Sequence, residues 1–419
     1  MTDSSQASVS SRAWLVVALL VPVALLNYLD RQMLASMKFS VMEDIPGISN
    51  EADWGKILAL FKWTYAFFSP IGGYLADRFS RRHVVAGSLL VWSIITWATG
   101  HVQTYDQLLL TRAVMGISEA FYIPAALALI ADFHKGHTRS RAVGFHQMGI
   151  YVGVIIGGFS GHVADHPSLG WRWAFDVAGI IGIIYAFPLF FLLKNPAPSL
   201  DVAPKSSPGG AVKELLANRS FLLMVLYFTL PALAGWVVRD WGPSILKSEF
   251  SISQGKAGVS ATLYWQVAAI IGALIGGWLA DRWMRKSDRG RIHTSAIGMA
   301  LVVPAMLGFG YAPQTGFLWL AIGFLILFGI GYGMFDSNNM PILCQIARPE
   351  LRATGYGIMN MISISCGGLA DWGFGALRDL HVSMLTIFGI FSAAAVVSVI
   401  IVLMIQPRHT EAGPAPLGH

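Results

Sequence analysis

GGYLADRFSRR, residues 72–82, returns as GGWLADRWMRK at residues 276–286. Two glycines, then Leu-Ala-Asp-Arg, then a pair of cations stand at the same spacing in both copies. Each copy also ends a long apolar run. A charged loop that recurs in this way marks an internally repeated chain.

Working outward from the two loops, the composition is that of a membrane protein. The 419 residues are 55% hydrophobic and only 12% charged, against roughly 25% charged in soluble domains. A helix needs about 20 apolar residues to cross about 30 Å of hydrocarbon. On that scale the first half offers spans near 13–38, 54–76, 83–101, 106–131, 141–164 and 172–193. The second half offers 220–247, 257–280, 293–312, 316–346, 353–377 and 383–405. The predicted fold is an all-α membrane protein of twelve transmembrane helices in two six-helix bundles. A tail at 1–12 precedes the first bundle (13–193), a linker at 194–219 rich in Pro, Ser and Gly joins it to the second (220–405), and 406–419 forms the other tail. Lys and Arg crowd the loops that fall on the side of the termini, among them Arg78, Arg81, Arg82, Arg282, Arg285 and Lys286. The positive-inside rule then makes both termini cytoplasmic and the linker with them.

Several functions are excluded. The net charge of +6 and pI near 9.3 do not signal nucleic acid, because the cations lie in short loops between apolar runs. Cys344 and Cys366 sit in apolar segments without a CxxC or a His partner, which excludes a disulfide or a metal site. No nucleophile elbow, phosphate loop or His pair at metal spacing is present, so neither an enzyme nor a cofactor is expected. The start of the chain shows no small-residue cleavage site for a signal peptide. Trp92, Trp97, Trp171 and Trp173 read as an interfacial belt.

Charges inside the spans need another account. NYLDRQM, residues 27–33, places Asp30 and Arg31 late in the first span, after a stretch at 13–29 without a charge. Lys62 lies in the second span, Arg112 and Glu119 in the fourth. Ionisable groups at such depth are costly and face a cavity or one another. Arg112 and Glu119, two turns apart, share a helix face, as do Lys62 and Tyr65. Carboxyls set beside arginines, Glu119 near Arg112 and Asp30 near Arg31, can alternate between paired and protonated states as the cavity opens. An arriving anion would compete with those carboxylates for the cations, which links substrate to protons. Lys62 fits either as a partner of Asp30 or Glu119 or as a substrate contact. On the tenth span, Asp336, Asn338 and Asn339 of FDSNNMP either line an inner cavity or cap a helix broken near Gly329, Gly331 and Gly333. Arg239 with Asp240 reads as a local interfacial pair, and Asp371 as an outer-gate or interfacial residue. The glycines of the fifth span, from Gly149 to Gly161, allow close helix approach.

With those residues in view, the chain resembles the major facilitator superfamily over nearly its whole length. The loop signature G-x-x-x-D-R-x-x-R-R is met by Gly73, Asp77, Arg78, Arg81 and Arg82, and nearly met by Gly277, Asp281, Arg282, Arg285 and Lys286. The resemblance implies alternating access and a cytoplasmic gate involving Gly73, Asp77, Arg78, Arg82, Asp281 and Arg282. YLDR on span one with TRAVMGISEAFYIPA on span four looks like the anion:cation symporter family. That likeness implies Asp30 and Glu119 as the proton-coupling pair. It implies Arg31, Tyr65 and Asn360 as substrate contacts, with Tyr28 and Arg112 matching too. The sequence departs from the bacterial sugar-acid carriers where Ile150 stands in place of a Gln on span five, with Gln147 one turn earlier. INYLDR-like, GYLADRF and GISEAFY stretches also resemble Spinster-like carriers of lysolipids or sphingolipids. The expectation is a monomeric, multi-pass carrier in a bacterial inner membrane that imports a small organic anion with protons, and the Spinster-like carrier is the alternative.

Overall fold

A computed structural model describes residues 11–134, 138–194, 208–348 and 351–407, with the side chains of 73–78, 140, 208, 209 and 211 outside the described set. Among the described residues the chain forms helices and no strand. The first set comprises α1 (Ser11–Ser36), a short α2 (Lys38–Asp44), α3 (Glu51–Arg78), α4 (Arg81–Thr99), α5 (Tyr105–Glu119), α6 (Tyr122–Phe133), α7 (Arg139–Ala164) and α8 (Gly170–Leu192). After α9 (Pro208–Ala217) come α10 (Arg219–Phe250), α11 (Gln254–Met284), α12 (Gly290–Thr315), α13 (Leu318–Ile346), α14 (Arg352–Asp379) and α15 (Met384–Met404). Among the described residues, 9 segments are long and apolar enough to cross a membrane, with α5 and α6 together forming one of them. Helices α3, α4 and α14 have span length but carry more charged and polar residues.

The run expected at 106–131 is not one helix. Pro124 cannot donate to the carbonyl four residues back, and the chain breaks at Ala120 and Phe121 between α5 and α6. The break leaves Glu119 as the last residue of α5. Gly72 of α3 packs on it, where an added Cβ would stand 2.7 Å from the Ala120 carbonyl oxygen. Two tryptophans also differ from the belt expectation. Trp92 is buried against Tyr122, with ring centroids 5.4 Å apart, and Trp171 is buried against Phe175 while its indole donates to Asp44 at 3.0 Å. Trp97 and Trp173 are exposed, as an interfacial belt requires.

The two sets of helices are joined by two related seams, α3 with α14 and α7 with α11. At each seam a carboxylate from one set caps a helix N-terminus of the other, where N–H groups and the helix dipole favour negative charge. Asp379, at the end of α14, accepts from the Glu51 and Ala52 N–H groups at 2.9 and 2.8 Å. Asp165, just past α7, accepts from the Gly255 N–H at 2.7 Å. The seams are tight enough to demand glycine. A Cβ on Gly258 would stand 2.2 Å from the Gly158 carbonyl oxygen, and one on Gly375 would stand 2.3 Å from that of Glu51. These joints lie at the end of the molecule where α3 and α11 begin. The repeated loops, residues 72–82 and 276–286, lie at the opposite end of those same helices.

Candidate functional site

The charges singled out above gather where α1, α3, α5, α10 and α14 meet. Asp30 and Arg31 are neighbours in sequence but not partners, because successive helical residues point about 100° apart at 3.6 residues per turn. Asp30 is buried and accepts a hydrogen bond from the Thr96 hydroxyl of α4. Arg31 turns to α5, where its Nε donates to Glu119 Oε2 at 2.7 Å. Glu119 is fully buried, and Asn27, one turn before Arg31, lies beside it. The partner of Glu119 is therefore Arg31 rather than Arg112. Seven residues of helical rise separate Arg112 from Glu119 by about 10 Å, and Arg31 of α1 supplies the bonded cation.

The two guanidiniums are held by aromatic faces. Arg31 stands over Tyr28, Phe61 and Tyr65, with its central carbon 4.7, 4.8 and 4.9 Å from the ring centroids. Arg112 stands 4.7 Å from the same Phe61 ring and donates to the Met115 sulfur at 2.9 Å. Cation–π attraction offsets part of the cost of burying two like charges. Arg31 Nη2 and Arg112 Nε are buried without a hydrogen-bond acceptor. Such donors are available to an anion.

Across the seam, Lys62 of α3 bonds to both Asp240 of α10 and Asp371 of α14, with its ammonium 4.5 Å from the Trp236 ring centroid. Lys62 thus takes partners from the second set of helices and not Asp30 or Glu119. Asp240 pairs with Lys62, not locally with Arg239. Arg239 instead faces Tyr28, Trp236 and Trp265 at 5.5, 5.2 and 6.0 Å. Its backbone carbonyl accepts from Gln32 Nε2 of α1 at 3.3 Å. Pro243 stands four residues later and has no N–H to offer that carbonyl, so the opposite set supplies the donor. Arg31, Phe61, Lys62, Tyr65, Arg112 and Arg239 line one small slot of about 20 Å³, room for about one water.

The remaining expected residues lie elsewhere. Asn360 is on α14, one turn before the slot-lining Ile364 and beside Tyr356. Asp336 is exposed midway along α13, within electrostatic reach of Arg239 and of Tyr151, Tyr332 and Tyr356. Asn338 and Asn339 are buried, and α13 runs unbroken past Gly329, Gly331 and Gly333, so those residues do not cap a helix break. Asp281 and Arg282 are exposed near the end of α11, with Arg282 5.8 Å from the Trp278 ring. Arg81 pairs with Asp132, and Arg82 is half-buried. The side chains of Gly73, Asp77 and Arg78 lie outside the described residues. Among the described residues no cluster of potential metal ligands occurs.

Sequence reasoning missed Thr96, Asn27 and Gln32 as partners, and Phe61 and Trp236 as cation seats. Prolines were the available signal for two features: Pro124 for the break at Glu119, and Pro243 for the freed Arg239 carbonyl.

The chain belongs to the Major Facilitator Superfamily, whose profile matches residues 20–370 and 243–418. It is 28% identical over 381 residues to Protein spinster of Drosophila melanogaster, covering 88% of this chain and 62% of that protein. The chain thus spans about three fifths of that relative's length. An MFS-type efflux pump of Mycolicibacterium smegmatis is 30% identical over 385 residues, covering 90% of this chain and 87% of the pump. Among solved structures, a bacterial homolog of the human lysosomal transporter Spinster, inward-facing and unoccupied, aligns with a TM-score of 0.76 at 18% identity, covering 94% of this chain and 96% of that one. A D-xylose-proton symporter aligns with a TM-score of 0.73 at 16% identity, covering 95% and 98%. At such identities these alignments establish the fold alone. Of the two finer resemblances read from the sequence, the Spinster-like one is the stronger match, and the anion:cation symporter family is not shown.

Proposed function

We propose that this chain is a proton-linked secondary carrier of a single-tailed anionic amphiphile of the lysolipid class. The observation that carries the reading is the buried Arg31–Glu119 contact at 2.7 Å, set in the aromatic collar of Tyr28, Phe61 and Tyr65. An internal carboxylate there occupies the cation that a substrate anion would take. A proton on Glu119 releases Arg31, whose planar fork then meets a carboxylate or phosphate bidentately. Arg112 and Arg239 add cations around the same slot, and their aromatic neighbours offer apolar surface to a hydrocarbon tail. Asp30, buried against Thr96, is the second proton-coupling carboxyl. The Spinster-like resemblance, which implies a lysolipid or sphingolipid, is the stronger sequence match and favours this class over a sugar acid.

In this reading α3, α4 and α14 complete twelve spans, with both termini cytoplasmic, in a bacterial inner membrane. The chain works as a monomer without cofactor. The seams then close the outer side, and the halves part toward the repeated loops, an inward-facing state. Gly73, Asp77, Arg78, Arg82, Asp281 and Arg282 would close the inner side in turn. Asp336, Asn338 and Asn339 would belong to the inner half of the path.

A small soluble organic anion is the second reading. It is favoured by the meeting of Tyr28, Arg31, Tyr65, Arg112 and Glu119 at one place, the set implied for organic-anion carriers. Uptake into proteoliposomes under an imposed proton gradient separates the two. Lysolipids accumulating under the gradient, while hexuronates, aldonates and dicarboxylates do not, supports the amphiphile. The reverse pattern transfers the proposal to the soluble anion. Movement of neither class, with or without a gradient, defeats both.

A further inference from the structure

We propose that Lys62, Asp240 and Asp371 form a proton-binding site that latches the seam between the two halves, separate from the Arg31–Glu119 pair. The inference rests on the rocking-carrier reading, since it assigns the site to one of two conformations. One ammonium meets two carboxyl groups: Lys62 bonds to Asp240 and to Asp371. Both carboxyl groups bond to the same Nζ, which holds their oxygens side by side. Two ionised carboxylates in such contact, away from water, repel, and a single shared proton removes the repulsion and supplies the missing donor.

The surroundings decide which carboxyl holds the proton. Facing the cluster are Lys62 from α3, Arg112 from α5, and Arg239 with Asp240 from α10, while Arg31 of α1 lines the same slot but is taken by Glu119. Asp240 reaches the slot, which Arg112 and Arg239 also line. Asp371 is fully buried, deeper than Asp240, and its Oδ1 has no hydrogen-bond partner. We therefore assign the shared proton to Asp371, the more buried carboxyl with an oxygen left unpartnered.

The site exists only while the halves are together, because Lys62 belongs to one half and both carboxyls to the other. When the seam opens, Lys62 leaves with α3, Asp240 and Asp371 meet water, and the proton passes to the outer solution. When it closes, one proton is taken up from that side. Acid on the outer side thus favours the closed seam. One proton per closure changes the closed-to-open ratio by up to about tenfold per pH unit.

The test is the distance distribution between spin labels at Ser168 and Gln314, exposed positions on opposite halves at the seam end, measured by pulsed electron resonance from pH 5 to 9. The full chain is used in lipid nanodiscs, with Cys344 and Cys366 replaced by alanine. The labels are placed in an Asp30→Asn/Glu119→Gln background, which removes the other proposed proton sites. The closed population is expected to fall as pH rises. In Asp371→Asn it should stay high at every pH, since Asn mimics the protonated group and leaves a one-to-one Lys62–Asp240 pair. Asp240→Asn, leaving Lys62 with Asp371, should abolish the response in the same way and stands in if the first variant fails to fold. A pH response that persists in both variants, or a seam that Asp371→Asn opens, overturns the site. A distance that never changes, at any pH or in any variant, refutes the rocking reading instead.

Discussion

Two ionic clusters reach one slot and tie together different parts of the chain. Arg31 with Glu119 joins α1 to α5, both in the first half, while Lys62 with Asp240 and Asp371 joins α3 to α10 and α14 of the second. A rigid-body movement of one half against the other leaves the first cluster intact and must break the second. Only a proton or a ligand can change the first. On the proposed reading the chain would thereby separate the chemistry of loading from the mechanics of closure, although residues of both clusters line the same slot.

The sharpest way to break the comparison is Glu119→Gln. The amide keeps the shape and can still face Arg31, but it cannot release a proton. Gradient-driven accumulation, worth up to about tenfold per pH unit per coupled proton, should vanish, while exchange of labelled for unlabelled substrate continues. Equal loss of both activities in proteoliposomes would make Glu119 a structural residue. The seam should stay as closed as in the parent, because neither partner of this pair crosses it.

Lys62→Met should do the reverse. It strands two buried carboxyls, and removal of one partner from a buried ion pair costs about 3–5 kcal/mol. The loss falls on the closed state alone, so the seam should open at neutral pH. Acid should close it again as both carboxyls become neutral. Distances across the seam check this, and an equally closed seam at pH 8 in the variant would remove Lys62 from the latch.

Gly258→Ala has a smaller expected effect, about 1–3 kcal/mol from overpacking. Its Cβ would press on the Gly158 carbonyl, 2.2 Å away and in the other half. Because the contact lies between halves, the strain is relieved by opening, and transport turnover should shift with little change in melting temperature. The same substitution at Gly153, packed at 2.2 Å on the Leu25 carbonyl within one half, should lower the melting temperature instead.

What was legible in the sequence was what is local. The repeated loops, the long apolar helices and the charges within them follow from spacing and hydropathy, and Arg31, Lys62 and Arg112 line one slot, with Glu119 bonded to Arg31. Who pairs with whom was not legible, because a partner depends on helix rotation and on packing between distant segments. Asp30 and Arg31 diverge by the turn of one residue. Lys62 finds partners 178 and 309 positions away, and no pattern near Asp240 or Asp371 announces a shared ammonium. Trp92 and Trp171 read as belt residues since nothing in their own neighbourhood shows that a second helix covers them.

The smallest effect is also the most specific. Gln32 of α1 donates to the Arg239 carbonyl across the seam only because Pro243 leaves that carbonyl without its helical N–H. Gln32→Leu should therefore cost about 1 kcal/mol of the closed state, the net worth of one hydrogen bond, or about a fivefold shift toward the open seam. Pro243→Ala returns an N–H to α10 and gives the carbonyl a partner of its own. In that background the Gln32→Leu shift should shrink to near zero. A double-mutant cycle on the closed-to-open ratio measures the coupling directly. If the two substitutions add independently, the proline does not explain the cross-seam bond, and Gln32 contributes through its packing on Gly157, where a Cβ would lie 2.6 Å from that of Gln32.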